Sequence, residues 1–197
     1  MKLAYETVHP PIQVLTDNGN LALDPIRQVQ FFDGAFAVES QRPRRQMSSL
    51  ALRAVGLSNR QISDLTGVEE KTVKNILYDT YKALGAATCP QAIGYSFDNG
   101  DLVVVKAATP VDLSPGELRV LECTRQGQNA DEIANSLGLA PKTVKNIRAG
   151  MVLKINGGEP GAIGIENMTL LGILSGVLPI LPTTPGEMEA NGQTSLS

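Results

Sequence analysis

Six residues occur twice in this chain: Lys71-Thr72-Val73-Lys74-Asn75-Ile76 and, 71 positions later, Lys142-Thr143-Val144-Lys145-Asn146-Ile147. Each copy offers two cations, a hydroxyl and a carboxamide, which are groups that hold anions and polar edges. Neither copy contains a base or an activated nucleophile. The remainder supplies no catalytic set either. His9 is the single histidine and lies beside Pro10 and Pro11, where neither a catalytic nor a zinc role is expected. Cys89 and Cys123 stand apart without CxxC spacing, which reads as two buried or half-buried thiols in a reducing compartment. There is no glycine-rich phosphate loop and no carboxylate cluster with a matching motif. The expectation is a binding protein and not an enzyme, with no cofactor, no metal and no small-molecule ligand.

The net charge of −3 argues at first against a polyanionic partner, but its distribution reverses that argument. From Arg42 to Lys82 there are eight basic and four acidic residues; from Glu117 to Lys154 there are six and four. The rest of the chain carries three basic and twelve acidic residues. Basic segments are thus set in acidic flanks, and local charge governs attraction to phosphate more than the isoelectric point does.

The elements that must carry the repeated hexapeptide are also repeated. At the same offset Gly56 aligns with Gly127, Ile62 with Ile133, Gly67 with Gly138 and Leu50 with Leu121. Downstream, Pro90 to Gly94 matches Pro160 to Gly164 at an offset of 70. A 197-residue chain has room for two small domains. Each copy is near the lower size limit for folding alone, so contact between them is expected.

In the first copy, Met47, Leu50, Ala51, Ala54 and Val55 fall on one helical face, and Gly56 ends the helix. Ser58 or Asn59 caps a second helix bearing Ile62 and Leu65, and Gly67 makes a tight turn. A third helix starts at Glu69 or Glu70, and a short fourth is expected over Pro90 to Ser96. In the second copy Ser114, Pro115 and Glu117 form a capping box that opens the first helix. Residues 131–136 and 142–155 make the next two, the latter preceded by Pro141. The last helix is expected to run from Ala162 to Leu178, longer than its counterpart. Helix, glycine turn, helix is the helix-turn-helix layout.

Outside these helices, Asn18-Gly19 and Asp33-Gly34 are hairpin signals. They predict a β-rich arm holding Phe31, Phe32 and Phe36, either packed on the first helical unit or exposed for self-association. Gln41 to Arg45 is a basic lead-in, either a solvated linker or an arm on a DNA backbone. Leu102 to Lys106 reads as a strand that Pro110 breaks. No signal peptide opens the chain. The most apolar run, Met168 to Leu181, is 14 residues and is interrupted by Pro179, too short to span a bilayer. A cytoplasmic protein without a membrane partner is expected.

Both copies resemble the LuxR/FixJ-type (GerE-like) helix-turn-helix domain. The resemblance rests on Leu113-Ser-Pro-Gly-Glu117-Leu-Arg-Val-Leu121, on Gly56-Leu-Ser-Asn-Arg-Gln-Ile62 and on the two Lys-Thr-Val-Lys-Asn segments, and covers roughly residues 44–97 and 113–175. Sigma-factor region 4 shares the layout. The resemblance implies a four-helix domain whose third helix enters the major groove of double-stranded DNA and whose fourth often mediates dimer contacts. It implies DNA-facing roles for Lys71, Thr72, Lys74 and Asn75, and for Lys142, Thr143, Lys145, Asn146 and Arg148. Lysine neutralises phosphate, threonine and helix-start amides hold phosphate oxygens, and asparagine or arginine pairs with base edges. The family's usual His-Arg after Asn is absent: this chain has Ile76-Leu77 and Ile147-Arg148. Gly150 weakens its helix by about 1 kcal/mol relative to alanine.

The fold class expected is mainly α: two tandem four-helix helix-turn-helix units with a small β-rich N-terminal arm and a short strand-containing linker. The division expected is 1–43 arm, 44–97 first unit, 98–112 linker, 113–181 second unit and 182–197 disordered tail. The function implied is sequence-specific DNA binding by a bacterial or phage transcription regulator. One arrangement has the two units mimic a family dimer, with recognition helices about 34 Å apart. The other has chains form a homodimer through the apolar last helix. The competing function is a protein-assembly module built from retired helix-turn-helix units, favoured by Ile76, Leu77, Tyr78, the apolar run and the acidic balance.

Overall fold

Local capping chemistry sets where the helices begin. In the computed structural model, which describes residues 35–106, 108, 111–155 and 165–181, Ser58 Oγ accepts from the Gln61 amide while Gln61 Oε1 accepts from the Ser58 amide. Ser114 with Glu117 and Asn129 with Glu132 close the same reciprocal box. Glycines set where helices end: Gly67 and Gly138 adopt φ of 68° and 65° and stop the second helix of each set.

The described elements run β1 (Phe36–Val38), α1 (Arg44–Ala54), α2 (Asn59–Thr66), α3 (Glu70–Leu84), α4 (Cys89–Asp98), β2 (Leu102–Val104), α5 (Pro115–Arg125), α6 (Ala130–Leu137), α7 (Pro141–Ile155) and α8 (Ile165–Leu174). The architecture is mainly helical, with eight helices and one two-stranded sheet among the described residues. The first three helices of each set match in length and all six of their boundaries are displaced by 71 residues. The fourth helices α4 and α8 both have ten residues but are displaced by 76. The Pro-x-Ala-Ile-Gly match at an offset of 70 therefore does not align them: Pro90 lies in the first turn of α4, whereas Pro160 precedes α8.

One apolar core serves both sets. Met47, Leu50, Ala54, Ile62, Val73 and Leu77 from the first join Leu121, Ile133, Val144, Met151 and the apolar side of α8 from the second. Within each set the first helix packs on the second, third and fourth. Between sets, α4 packs on α8, α1 on α8 and α5 on α4. β1 and β2 pair antiparallel, with Ala37 opposite Val103. Phe36 meets Phe97 of α4 edge-on, ring centres 6.1 Å apart.

Phe36–Val38 forms a strand whose described partner is the linker strand Leu102–Val104; two other expectations need correction. Phe31, Phe32 and the Asp33-Gly34 turn of the expected arm, the hairpin signal at Asn18-Gly19 and the tail 182–197 lie outside the described residues. The last helix stops at Leu174 and does not reach Leu178. Gly176 takes a φ of 70° and the Leu178 amide turns back to the Gly172 carbonyl at 2.8 Å, which folds Leu178 into the core. Nor is α8 an open dimerisation face: every residue from Asn167 to Leu174 is buried within the chain itself. Apolar area already removed from water offers a second chain nothing to gain.

Two contacts pin one set to the other. Gly56, at φ 98°, lies under Asn167 of α8, and a Cβ there would come 2.5 Å from Asn167 Oδ1. Asn167 Nδ2 donates to the Ala54 carbonyl at 2.9 Å, satisfying a helix-end acceptor that would otherwise be buried unpaired. Arg125 of α5 is buried and donates to Asp98 at the end of α4 and to the Pro179 carbonyl. Around β1, Arg42 Nε donates to Asp101 Oδ2 at 2.8 Å, the Ser40 hydroxyl donates to the same carboxylate, and Arg42 Nη1 donates to the Ala83 carbonyl. The guanidinium of Arg42 is thus held in the fold.

Gly67→Ala should cost about 1 kcal/mol, from backbone strain alone, because nothing lies near its Cβ position. Gly56→Ala adds overpacking against Asn167 and should cost about 2–3 kcal/mol. Urea denaturation of both variants reads the difference; equal losses would show that Asn167 yields without resistance. Asp98→Ala strands a buried guanidinium and should cost about 3–5 kcal/mol, and most of it should return when Arg125 is replaced by Met in the same chain.

Candidate nucleic-acid interface

Burial of one helix side decides what the other side can offer. On α3, Val73, Leu77, Thr80 and Leu84 face the core. Lys71, Lys74 and Asn75 are consequently exposed, and Thr72 is half-buried. On α7, Val144 and Met151 are buried, while Lys142, Thr143, Lys145 and Asn146 are all exposed. Both hexapeptides therefore turn a lysine, lysine and asparagine outward in the first two turns, at i, i+3 and i+4. Gly67 and Gly138 set the preceding turns, so that α2 and α6 brace α3 and α7 in the same way.

The two faces differ in charge. α7 carries Lys142, Lys145, Arg148 and Lys154 with no acidic residue, whereas α3 carries Lys71, Lys74 and Lys82 with Glu70 and Asp79. Not all of the α7 charge is free. Lys154 Nζ donates to Glu117 Oε2 at 2.8 Å, tying α7 to the start of α5. That bond, with the Ser114 contacts, holds the Glu117 carboxyl below its ordinary range despite partial burial. Lys142 and Lys145 remain for an external anion.

Arg148 does not join them. Its Nη2 donates to Thr124 Oγ1 at 3.0 Å and to the Gln128 carbonyl at 3.2 Å, and its Nε is buried without a hydrogen-bond partner. Burial lowers its pKa from the ordinary guanidinium value, opposed by the nearby Cys123. The equivalent position 71 residues earlier is Leu77, which is 4% exposed. Arg148 thus occupies an inward position and seats α7 on the α5–α6 turn. In the sequence it stands where the family's arginine follows Asn-His; the helical phase turns it roughly 200° from Asn146, toward the core side.

Tyr78 is the opposite case. Grouped with Leu77 as an apolar departure in the sequence, it is 67% exposed. It completes the series Lys71, Lys74, Asn75, Tyr78 at i, i+3, i+4, i+7 on the open face of α3. That spacing was the available signal. Its equivalent on α7 is Ala149, also exposed. Cys89 and Cys123 are half-buried and form no disulfide. Tyr81, beside Cys89, has its phenol pushed up by burial, with the thiol contributing and Arg53 opposing. No group of three or more His, Cys, Asp or Glu is placed to hold a metal ion among the described residues, and no described helix is long and apolar enough to cross a membrane.

Arg148→Ala should destabilise the protein by about 1–3 kcal/mol, because Gln128 and Thr124 lose a donor and a gap opens under α7. Lys145→Ala should lie within about 0.5 kcal/mol of the parent. Thermal unfolding of the two variants distinguishes them; an unaffected Arg148→Ala would return Arg148 to the exposed face.

Residues 111–158 match the family described as bacterial regulatory proteins, luxR family. The match contains the whole of α5, α6 and α7, and α1–α4 lie outside it. No curated protein and no solved structure matches the chain. The matched family suggests a DNA-binding transcription regulator, with α6, Gly138 and α7 as its helix-turn-helix.

Proposed function

We propose that the protein binds double-stranded DNA sequence-specifically, as a bacterial or phage transcription regulator, and that α3 and α7 serve as two recognition helices within one chain. The observation that carries this reading is the pair of outward lysine-lysine-asparagine faces at the starts of two helices, one of which lies in the luxR-family match. The units proposed are residues 44–97 and 113–181, acting inside the cell. In each, the lysines neutralise phosphates, Thr72 or Thr143 and the first-turn amides hold phosphate oxygens, and Asn75 or Asn146 pairs with a base edge. Arg148 supports this work by fixing the seat of α7, and is removed from the set of direct readers.

The assembly reading drew on apolar residues, and the fold takes most of them inside. Leu77 is buried, and so are residues 168–174 and Leu178. On the open faces of α3 and α7 the lysines and asparagines remain, joined on α3 by Tyr78.

The test is selection of bound sites from a random duplex pool at two salt concentrations, followed by sequencing of what is retained. An enriched motif whose retention falls as salt rises supports a specific reader. Lys74→Ala and Lys145→Ala should each reduce the slope of log affinity against log salt by about one. Retention that ignores salt, or no retention at low salt, would defeat the DNA reading.

A further inference from the structure

We infer that the chain carries its own two-fold axis, so that a single copy reads an inverted repeat in duplex DNA, and that the two halves of this repeat differ because Tyr78 stands in α3 where Ala149 stands in α7. The inference rests on the DNA-binding reading above and adds the symmetry, stoichiometry and asymmetry of the site.

The axis follows from reciprocal contacts. Two copies related by a two-fold touch through the same patch, so that whatever the first presents to the second, the second presents to the first. Copies related by translation touch through unlike patches. Here α1 packs on α8 and α5 packs on α4, which is one contact seen from each side. At residue level, Gly56 lies under Asn167, the third residue of α8. Its counterpart Gly127 lies under Gln91, the third residue of α4, whose Oε1 would be 2.9 Å from a Cβ placed there. The strands agree: Phe36 pairs with Val104 and Val38 with Leu102 about the central Ala37–Val103 pair, as a self-complementary antiparallel pair requires. All these contacts exchange the two halves of the chain, so α3 and α7 are exchanged as well. A duplex has local two-folds of its own, and a two-fold protein sets its recognition helices on an inverted repeat.

The halves are not identical. Lys71, Thr72, Lys74 and Asn75 have exact counterparts in Lys142, Thr143, Lys145 and Asn146. One further turn along the same face, Tyr78 and Asp79 are exposed on α3, against Ala149 and Gly150 on α7. Tyr78 offers a ring to a thymine methyl and a hydroxyl to a phosphate or base edge; Ala149 offers one methyl group. The common residues give both half-sites a shared core, and these two positions make the flanking base pairs unlike. A perfect palindrome is then not the best site.

The experiment selects sites from a random duplex pool with the full chain and with Tyr78→Ala, and weighs the complex on the selected duplex by native mass spectrometry. The expected result is an inverted repeat with unlike halves, one chain per duplex. Tyr78→Ala should leave thermal stability unchanged, weaken the selected site about tenfold, and flatten base preference in one half alone. A direct repeat, a lone half-site, two chains per duplex or a consensus unchanged by Tyr78→Ala overturns this inference while leaving DNA binding intact. Failure to retain any duplex removes the DNA reading and this inference with it.

Discussion

The packing of α4 against α8 is the constraint on which the rest of the structure depends. Each four-helix set is near the lower size limit for closing a core of its own. Each leaves an apolar side at its fourth helix, and the two sides cover one another: Ile93 and Phe97 from one set, Met168, Leu170 and Leu174 from the other, are all buried in one cluster. That closure needs the first helices to end close beside the opposite fourth helix. Glycine at 56 and 127 permits the approach, since both positions require positive φ and neither has room for a Cβ. What remains exposed on α3 and α7 is then fixed by what the core has taken.

Much of this was legible in the sequence because it is written locally. The capping box at Ser114, the cap at Ser58 and the glycines at 67 and 138 announce helix boundaries within a few residues of where they occur, while the box closed by Asn129 and Glu132 went unread. The exposed lysines and asparagines follow from helical spacing once the boundaries are known. The features that escaped are long-range. Nothing near Phe36 says that its strand pairs with one 66 positions later, and nothing near Leu174 says that the chain will turn there to bury Leu178. Both follow from the mutual fit of distant surfaces.

Arg148 and Tyr78 show the same limit at the candidate site. Residue type suggested that the arginine faces outward with the lysines and that the tyrosine belongs with its apolar neighbours. Helical phase reverses both. A guanidinium can be half-buried where backbone and hydroxyl acceptors wait for it, as Gln128 and Thr124 do. A tyrosine can stand in water where its helix turns it outward. Type proposes a role, but the angle around the helix axis assigns it.

The buried pair Arg125–Asp98 has a consequence for how such a chain can change over time. Counting 71 positions back from Arg125 leads to Ala54, so the guanidinium has no twin on the other side. In an assembly of two identical chains every mutation is made twice and must be tolerated in both places at once. Two helical sets within one chain are free of that coupling. Each helical set can drift on its own, and an ion pair, a larger side chain or a lost charge can be tried in one half while the other keeps its old form. Leu77 and Arg148, or Ala149 and Tyr78, are the marks such independent drift would leave.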